Sequence, residues 1–318
     1  MTEDINDVQT TGGNTLTTSS SHGSGFYFQY AVMMIGIVGT TANALILYAM
    51  IVSKQHKKQL LIFNQNALDL CSCLLLVVIF TMKICNIRLM GTLGYWLCMI
   101  FLSENLLWIS INGSTINLMS ITVERYIKVV HSKWSKKLLR NWVRCSAAAF
   151  AWIIGAVYSM ALTFSTSDVI DGVCYGYVIW KSETAALIHG IWNYGSFFLV
   201  PIFVFIFCYG KILLVIRRQA HVMASYSGPE PSTSHSQTQL SHIQSNITKT
   251  MILVSAFYVI TWTPSNTFYL ITHINPHLTL IDTAYYVFTF MGFLYISANP
   301  FIYAAKFNPV RRILVGLI

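Results

Sequence analysis

The chain has 318 residues, of which 55% are hydrophobic and only 10% charged, against roughly 25% charged residues in an ordinary globular domain. That balance excludes a water-soluble fold. The net charge of +9 does not argue for nucleic acid, because the basic residues gather at the ends of apolar blocks, where they set topology and attract anionic lipid. The first 26 residues are polar, rich in Thr, Ser and Gly, and lack a basic-then-apolar signal peptide, so residues 1–26 are expected to form a disordered extracellular tail.

Seven apolar blocks follow, at approximately 27–52, 61–85, 97–123, 142–164, 186–216, 247–273 and 279–304. A bilayer core of about 30 Å takes about 20 helical residues, and every block reaches that length. Short alternating segments of the kind that build membrane barrels are absent. The expected fold class is therefore an all-α membrane protein, a seven-transmembrane helix bundle over 27–304.

Lysines and arginines orient the bundle. With the N-terminus outside, the inner side collects Lys54, Lys57 and Lys58 in the first connection, and Lys128, Lys133, Lys136, Lys137, Arg140 and Arg144 in the third. Lys211, Arg217, Arg218 and Lys249 lie around the fifth connection, and Lys306, Arg311 and Arg312 follow the last block. The outer side keeps Lys83, Arg88 and Lys181. This predicts a multi-pass plasma-membrane protein with its N-terminus extracellular and its C-terminus cytoplasmic. The Ser/Pro-rich stretch SYSGPEPSTSHSQTQLSH belongs to a cytoplasmic loop at about 219–243. Residues 305–318 place Asn308-Pro309 at a helix start and Arg311 and Arg312 beside Ile313, Leu314 and Val315, which reads as a short amphipathic helix on the membrane surface.

Polar residues at membrane depth need partners inside the bundle and are functional candidates by default. Asp69 sits near the middle of span two with no cation on its own helix; Asn43 in span one, Ser114 in span three and Asn299 in span seven are the expected partners. A helix-gluing hydrogen-bond cluster is the plainer alternative. Pro201, Pro264 and Pro300 each remove a backbone hydrogen bond and predict bends in spans five, six and seven. The triplet Glu124-Arg125-Tyr126 stands where span three gives way to lysines, and an ionised pair there needs a use. Cys98 and Cys174 both fall on the oxidising outer side, so a disulfide between them is chemically permitted, with Cys85 as the competing partner.

In order along the chain stand Asn43, Asp69, Glu124-Arg125-Tyr126, Trp152, Pro201 with Tyr209, Trp262-x-Pro264 and Asn299-Pro300-x-x-Tyr303. Together these resemble a rhodopsin-like (class A) G-protein-coupled receptor, over almost everything from residue 27 to the end. The resemblance implies that Arg125 pairs with Glu124 at rest and is freed for a heterotrimeric G protein when span six swings outward, with Tyr209 and Tyr303 turning in to support it. Gln244 stands where many relatives carry an acid that also holds the arginine, which implies a weaker resting latch and some basal signalling. Cys98 lies two residues further from Arg125 than is usual in the family, so the start of span three must differ locally. Tyr258 replaces a usual phenylalanine below Trp262, and Thr115 replaces its apolar partner. Tyr295 and Ile296 occupy positions that often help bind a sodium ion, so Asp69 is expected to matter whether or not sodium sits beside it.

The same resemblance implies a ligand cavity lined by Glu104, Leu107, Trp108 and Ile111 of span three, Asn193, Tyr194 and Phe197 of span five, Trp262, Ser265, Asn266 and Tyr269 of span six, and Tyr285, Thr289 and Phe293 of span seven. Leu107 replaces the aspartate of amine receptors and Phe293 the retinal-binding lysine of opsins, which points to a peptide or a non-aminergic small molecule. Glu104 is the one carboxylate of this set and would meet a basic group on the ligand.

An enzyme is not expected. There is no His-Glu-x-x-His, no phosphate-binding glycine loop and no Gly-x-Ser-x-Gly, and His189, His273 and His277 are not spaced as metal ligands. No cofactor and no metal are expected, and the partners are a G protein, an extracellular ligand and the bilayer. A seven-span transporter or channel is the alternative: the proline-bent spans six and seven allow it, but the repeats usual in that class are not visible, and it is not favoured.

Overall fold

The computed structural model describes the backbone over residues 18–225, 234–275 and 282–306 together with residues 311, 313 and 316, and side chains over 25–219, 246–275 and 283–305 with the same three. Span one is the helix Thr18–Val52, span two Leu60–Ile84, span four Asn141–Thr166, span six Ser234–Ile274 and span seven Asp282–Lys306. Span three has a helical lead-in Gly91–Leu97, a π-helical turn Cys98–Leu102 and a main body Asn105–Val130; span five joins Glu183–Tyr194 and Val200–Ser225 through a second π-helical turn, Gly195–Leu199.

Among the described residues six of these helices are long and apolar enough to cross a membrane. The other, Ser234–Ile274, carries Thr250, Ser255, Thr261, Thr263, Ser265 and Asn266 around an internal Pro264. It nevertheless packs against spans five and seven as a full member of the bundle.

Two expected boundaries move. Span one begins at Thr18 rather than near residue 27, because once a helix is nucleated each further residue adds a hydrogen bond even where the sequence is polar. The inner ends of spans five and six reach Ser225 and Ser234, which narrows the connection expected at about 219–243. Gln244, Asn308-Pro309, Arg312, Leu314 and Val315, and with them most of the expected surface helix, lie outside the described side chains.

The spans pack in the ring one, two, three, five, six, seven and back to one, with span four lying on span three. Gly155 of span four lies against the Ile109 carbonyl and the Gly113 backbone, so a side chain there would collide, and small residues let the two backbones approach. Span three runs through the middle, and Ile109–Leu118 is buried without a break. Polar residues in that run must therefore bond to protein.

The start of span three departs from a regular helix, as the family resemblance implied from the position of Cys98. The Ser103 amide donates to the Cys98 carbonyl at 2.9 Å, five residues back, and Glu104 then takes a left-handed conformation with φ 64. The extra residues are absorbed in that widened turn and break. On the same side, β1 (Asp168–Ile170) and β2 (Val173–Tyr175) form a hairpin whose two-residue turn, Asp171-Gly172, has φ 52 and 78. An Asp-Gly pair favours this positive-φ turn, which matches the twist of the strands. Cys174 of β2 is bonded to Cys98, with Cα atoms 5.4 Å apart, while Cys85 is free.

Candidate functional site

Three polar regions lie along the bundle. At the outer end, the Glu104 carboxylate is already matched: Lys83 of span two places its ammonium 2.5 Å away and 5.0 Å from the centre of the Phe80 ring. Leu107 and Ile111 are buried in the core, and Trp108 meets Trp262 with ring centres 6.3 Å apart. Phe293 is buried against Phe80. Tyr285 is half exposed beside Phe268, and Ser265 and Thr289 are partly buried. Asn266 donates to the carbonyl of Trp262 at 2.9 Å, within the turn that Pro264 loosens.

A second outer group joins spans four, five and six. The Tyr158 hydroxyl donates to Asn193 Oδ1 at 3.0 Å and therefore accepts from His189 Nε2 at 2.8 Å. Nδ1 of that imidazole is then an acceptor, and the Tyr269 hydroxyl donates to it at 3.2 Å. Phe197 packs on Tyr158, Trp180 on His189, and Tyr194 on Phe198. Asn193, Phe197 and Tyr269 are thus brought together through Tyr158 and His189.

In the middle, Asp69 accepts from Ser114 at 2.9 Å, from Asn299 at 2.9 Å and from Gln65 at 3.4 Å. Gln65 also bonds Ser114 and accepts from Asn117 at 2.8 Å. Asn117 accepts from Asn64 at 2.9 Å, and Asn64 accepts from the Trp152 indole at 3.0 Å. The chain of bonds ties spans seven, two, three and four. Asn43 does not join it: its amide donates to the carbonyls of Gly39 and Ile296, at 2.9 and 3.2 Å, because span one meets span seven at that level through backbone.

Pro201 and Tyr258 are linked in a similar way. In a regular helix the carbonyl of Phe197 would accept from residue 201, but proline has no N–H. The Tyr258 hydroxyl of span six donates to that carbonyl at 2.6 Å.

At the inner end Arg125 is fully buried. Its Nη2 donates to Gln59 at the head of span two and lies 3.7 Å from Glu124, whereas Glu124 holds Lys128 more closely, at 2.7 Å. Arg125 Nε and Nη1 and the buried Tyr303 hydroxyl have no hydrogen-bond partner among the described residues. The Tyr209 hydroxyl bridges Thr122 of span three at 3.0 Å and Ser255 of span six at 3.2 Å. Tyr126 turns outward, its ring against Phe207 and its hydroxyl 3.3 Å from His131. Pro300 follows Asn299 inside span seven.

The partners that sequence reasoning missed are Lys83, Gln59, Gln65, Asn117, Asn64, Tyr158 and His189. For most of them a signal existed. Asn64 and Gln65 are amides in an apolar block, and Lys83 is a cation in the same block; polar side chains at that depth need partners. Gln59, by contrast, precedes the helix and looks like any connecting residue.

The family model described as 7 transmembrane receptor (rhodopsin family) matches residues 42–303. The human trace amine-associated receptor 1 is 24% identical over 304 residues, covering 90% of this chain and 85% of that protein. The chicken (Gallus gallus) melatonin receptor type 1B is 25% identical, covering 71% of this chain and 76% of that protein. The mouse (Mus musculus) somatostatin receptor type 3 is 22% identical, covering 93% and 70%. Among solved structures, squid rhodopsin superposes with a TM-score of 0.75 at 15% identity, covering 92% of this chain and 84% of that one.

Proposed function

Because this chain belongs to the rhodopsin family of seven-transmembrane receptors, and is thus a multi-pass G-protein-coupled receptor rather than an enzyme, we propose that it signals by outward movement of span six. The orientation read from the lysines and arginines puts Arg125 on the cytoplasmic side of a plasma-membrane protein. The observation that carries the proposal is the state of Arg125: a buried guanidinium with two nitrogens that have no hydrogen-bond partner among the described residues, beside a Tyr303 hydroxyl in the same condition. A buried cation so poorly satisfied is unfavourable. It becomes favourable when span six opens and carbonyls or carboxylates of a G protein reach it. Tyr209 is the hinge contact to break, since Ser255 ties it to span six.

For the ligand, the reading is a peptide or a non-aminergic small molecule. Leu107 is buried without charge, and Glu104 is neutralised by Lys83 before any ligand arrives. A ligand ammonium would have to displace a bound lysine. The relatives' names carry a trace amine, melatonin and somatostatin, so they do not favour one chemistry. Candidate contacts are Trp108, Trp262 and Tyr269, where aromatic surface borders polar tips.

The test is G-protein dissociation in cells across the main Gα classes, unstimulated and with pooled peptides and small molecules. Expected is a response that Arg125→Ala removes while surface expression persists. A response of equal size in Arg125→Ala refutes the switch. Substrate flux that persists without any G protein would replace the receptor reading by a transporter.

A further inference from the structure

The lipid-facing side of span five is not smooth. We propose that it carries a binding site for one anionic phospholipid, with an acyl chain in the groove around Gly210 and the headgroup held by Lys211, Arg217 and Arg218.

Ile206, Gly210, Leu214 and Arg217 recur at helical spacing and form one stripe. Along it the structure has two adjoining open depressions of about 450 and 520 Å³, which share Lys211, Leu214 and Arg217. The second reaches Val130 at the end of span three and Arg218. A Cβ added at Gly210 would meet nothing within 4 Å, so the missing side chain leaves the groove open. Ile206 is 70% exposed. In a membrane protein that exposure is to lipid, and the apolar walls fit an acyl chain.

The charges select which lipid. Lys211 lies six residues before Arg217, about 9 Å along the helix axis, still inside the apolar segment. An ammonium at that depth is costly unless it snorkels to the headgroups or meets an anion. All three cations are exposed, and among the described residues none makes an ion pair. Two cations at the inner end of the apolar groove and a third, Lys211, along it that snorkels toward them, none ion-paired among the described residues, complement an anionic headgroup. A zwitterionic headgroup would leave them unbalanced. Under the proposed orientation the lipid belongs to the inner leaflet, but the site does not depend on that reading.

The experiment is native mass spectrometry of the full chain in detergent micelles, with equal amounts of phosphatidylserine and phosphatidylcholine. Expected is one retained phosphatidylserine, at least fivefold over phosphatidylcholine. Replacing Lys211, Arg217 and Arg218 together by glutamine should bring the ratio near one. Gly210→Trp keeps every charge, its Cβ meets no atom within 4 Å, and its indole fills the groove; it should also lose the retained lipid, at least fivefold. Retention by either variant overturns the proposal: in the first the cations do not select, and in the second the charges act diffusely without a groove. Wild-type retention of both lipids alike overturns it too, as does a dimer peak that Gly210→Trp abolishes, which would assign the groove to a second copy. Should the triple variant fail to fold, Gly210→Trp decides alone.

Discussion

Replacing Gln59 by leucine should raise unstimulated signalling about tenfold. Gln59 is the residue that Arg125 Nη2 reaches, while the neighbouring Glu124 is 3.7 Å away and engaged with Lys128 at 2.7 Å. Hydrogen bonds to a charged group contribute about 1.5–3 kcal/mol net. If the bond belongs only to the resting arrangement, losing about 1.5 kcal/mol shifts the resting-to-active ratio roughly tenfold. Gln59→Glu should do the opposite, since a carboxylate facing the buried guanidinium makes the stronger, charge-assisted bond. The assay is G-protein dissociation without ligand, normalised to receptor at the cell surface. Basal signalling unchanged within twofold in Gln59→Leu, or both variants moving in one direction, would refute the reasoning.

Three further outcomes are expected. Tyr258→Phe keeps the ring against Phe205 and Tyr295 but leaves the Phe197 carbonyl without its donor; a loss of about 1 kcal/mol should lower the thermal midpoint in detergent by a few degrees, and an unchanged midpoint would remove the proline-compensation account. Lys83→Met and Glu104→Gln should be non-additive in thermal stability, with a coupling of at most about 1 kcal/mol because both groups are partly exposed; strict additivity would mean that the pair does not form in the membrane. Cys98→Ser, Cys174→Ser and the double variant should reduce surface expression equally, since one bond closing 76 residues of sequence is lost in each, about 4.5 kcal/mol on the chain-entropy model. Cys85→Ser should leave expression unchanged, and a loss there would implicate a different pairing.

The number and order of the spans were legible in the amino-acid sequence because a bilayer imposes a length on every crossing helix, and that length is local information. So were Asp69, Ser114 and Asn299 as a group: a carboxylate among apolar residues must find donors, and few were on offer at its depth. A local departure before span three could be anticipated from the family resemblance, in which Cys98 usually lies two residues nearer Arg125; that it takes the form of a widened turn could not. Which partner each polar group takes was a different matter. Arg125 was expected on its neighbour Glu124 and does lie 3.7 Å from it, but its hydrogen bond goes across to Gln59; Glu104 was expected to meet a basic group on a ligand, and it holds Lys83. Consecutive residues on a helix do not face each other, so a charge is matched by whatever an adjacent helix presents at its height. That height depends on how the helices are rotated, tilted and offset, as at the Gly155 contact between spans three and four or the widened turn that sets Glu104 opposite Lys83. These quantities exist only once the bundle has packed.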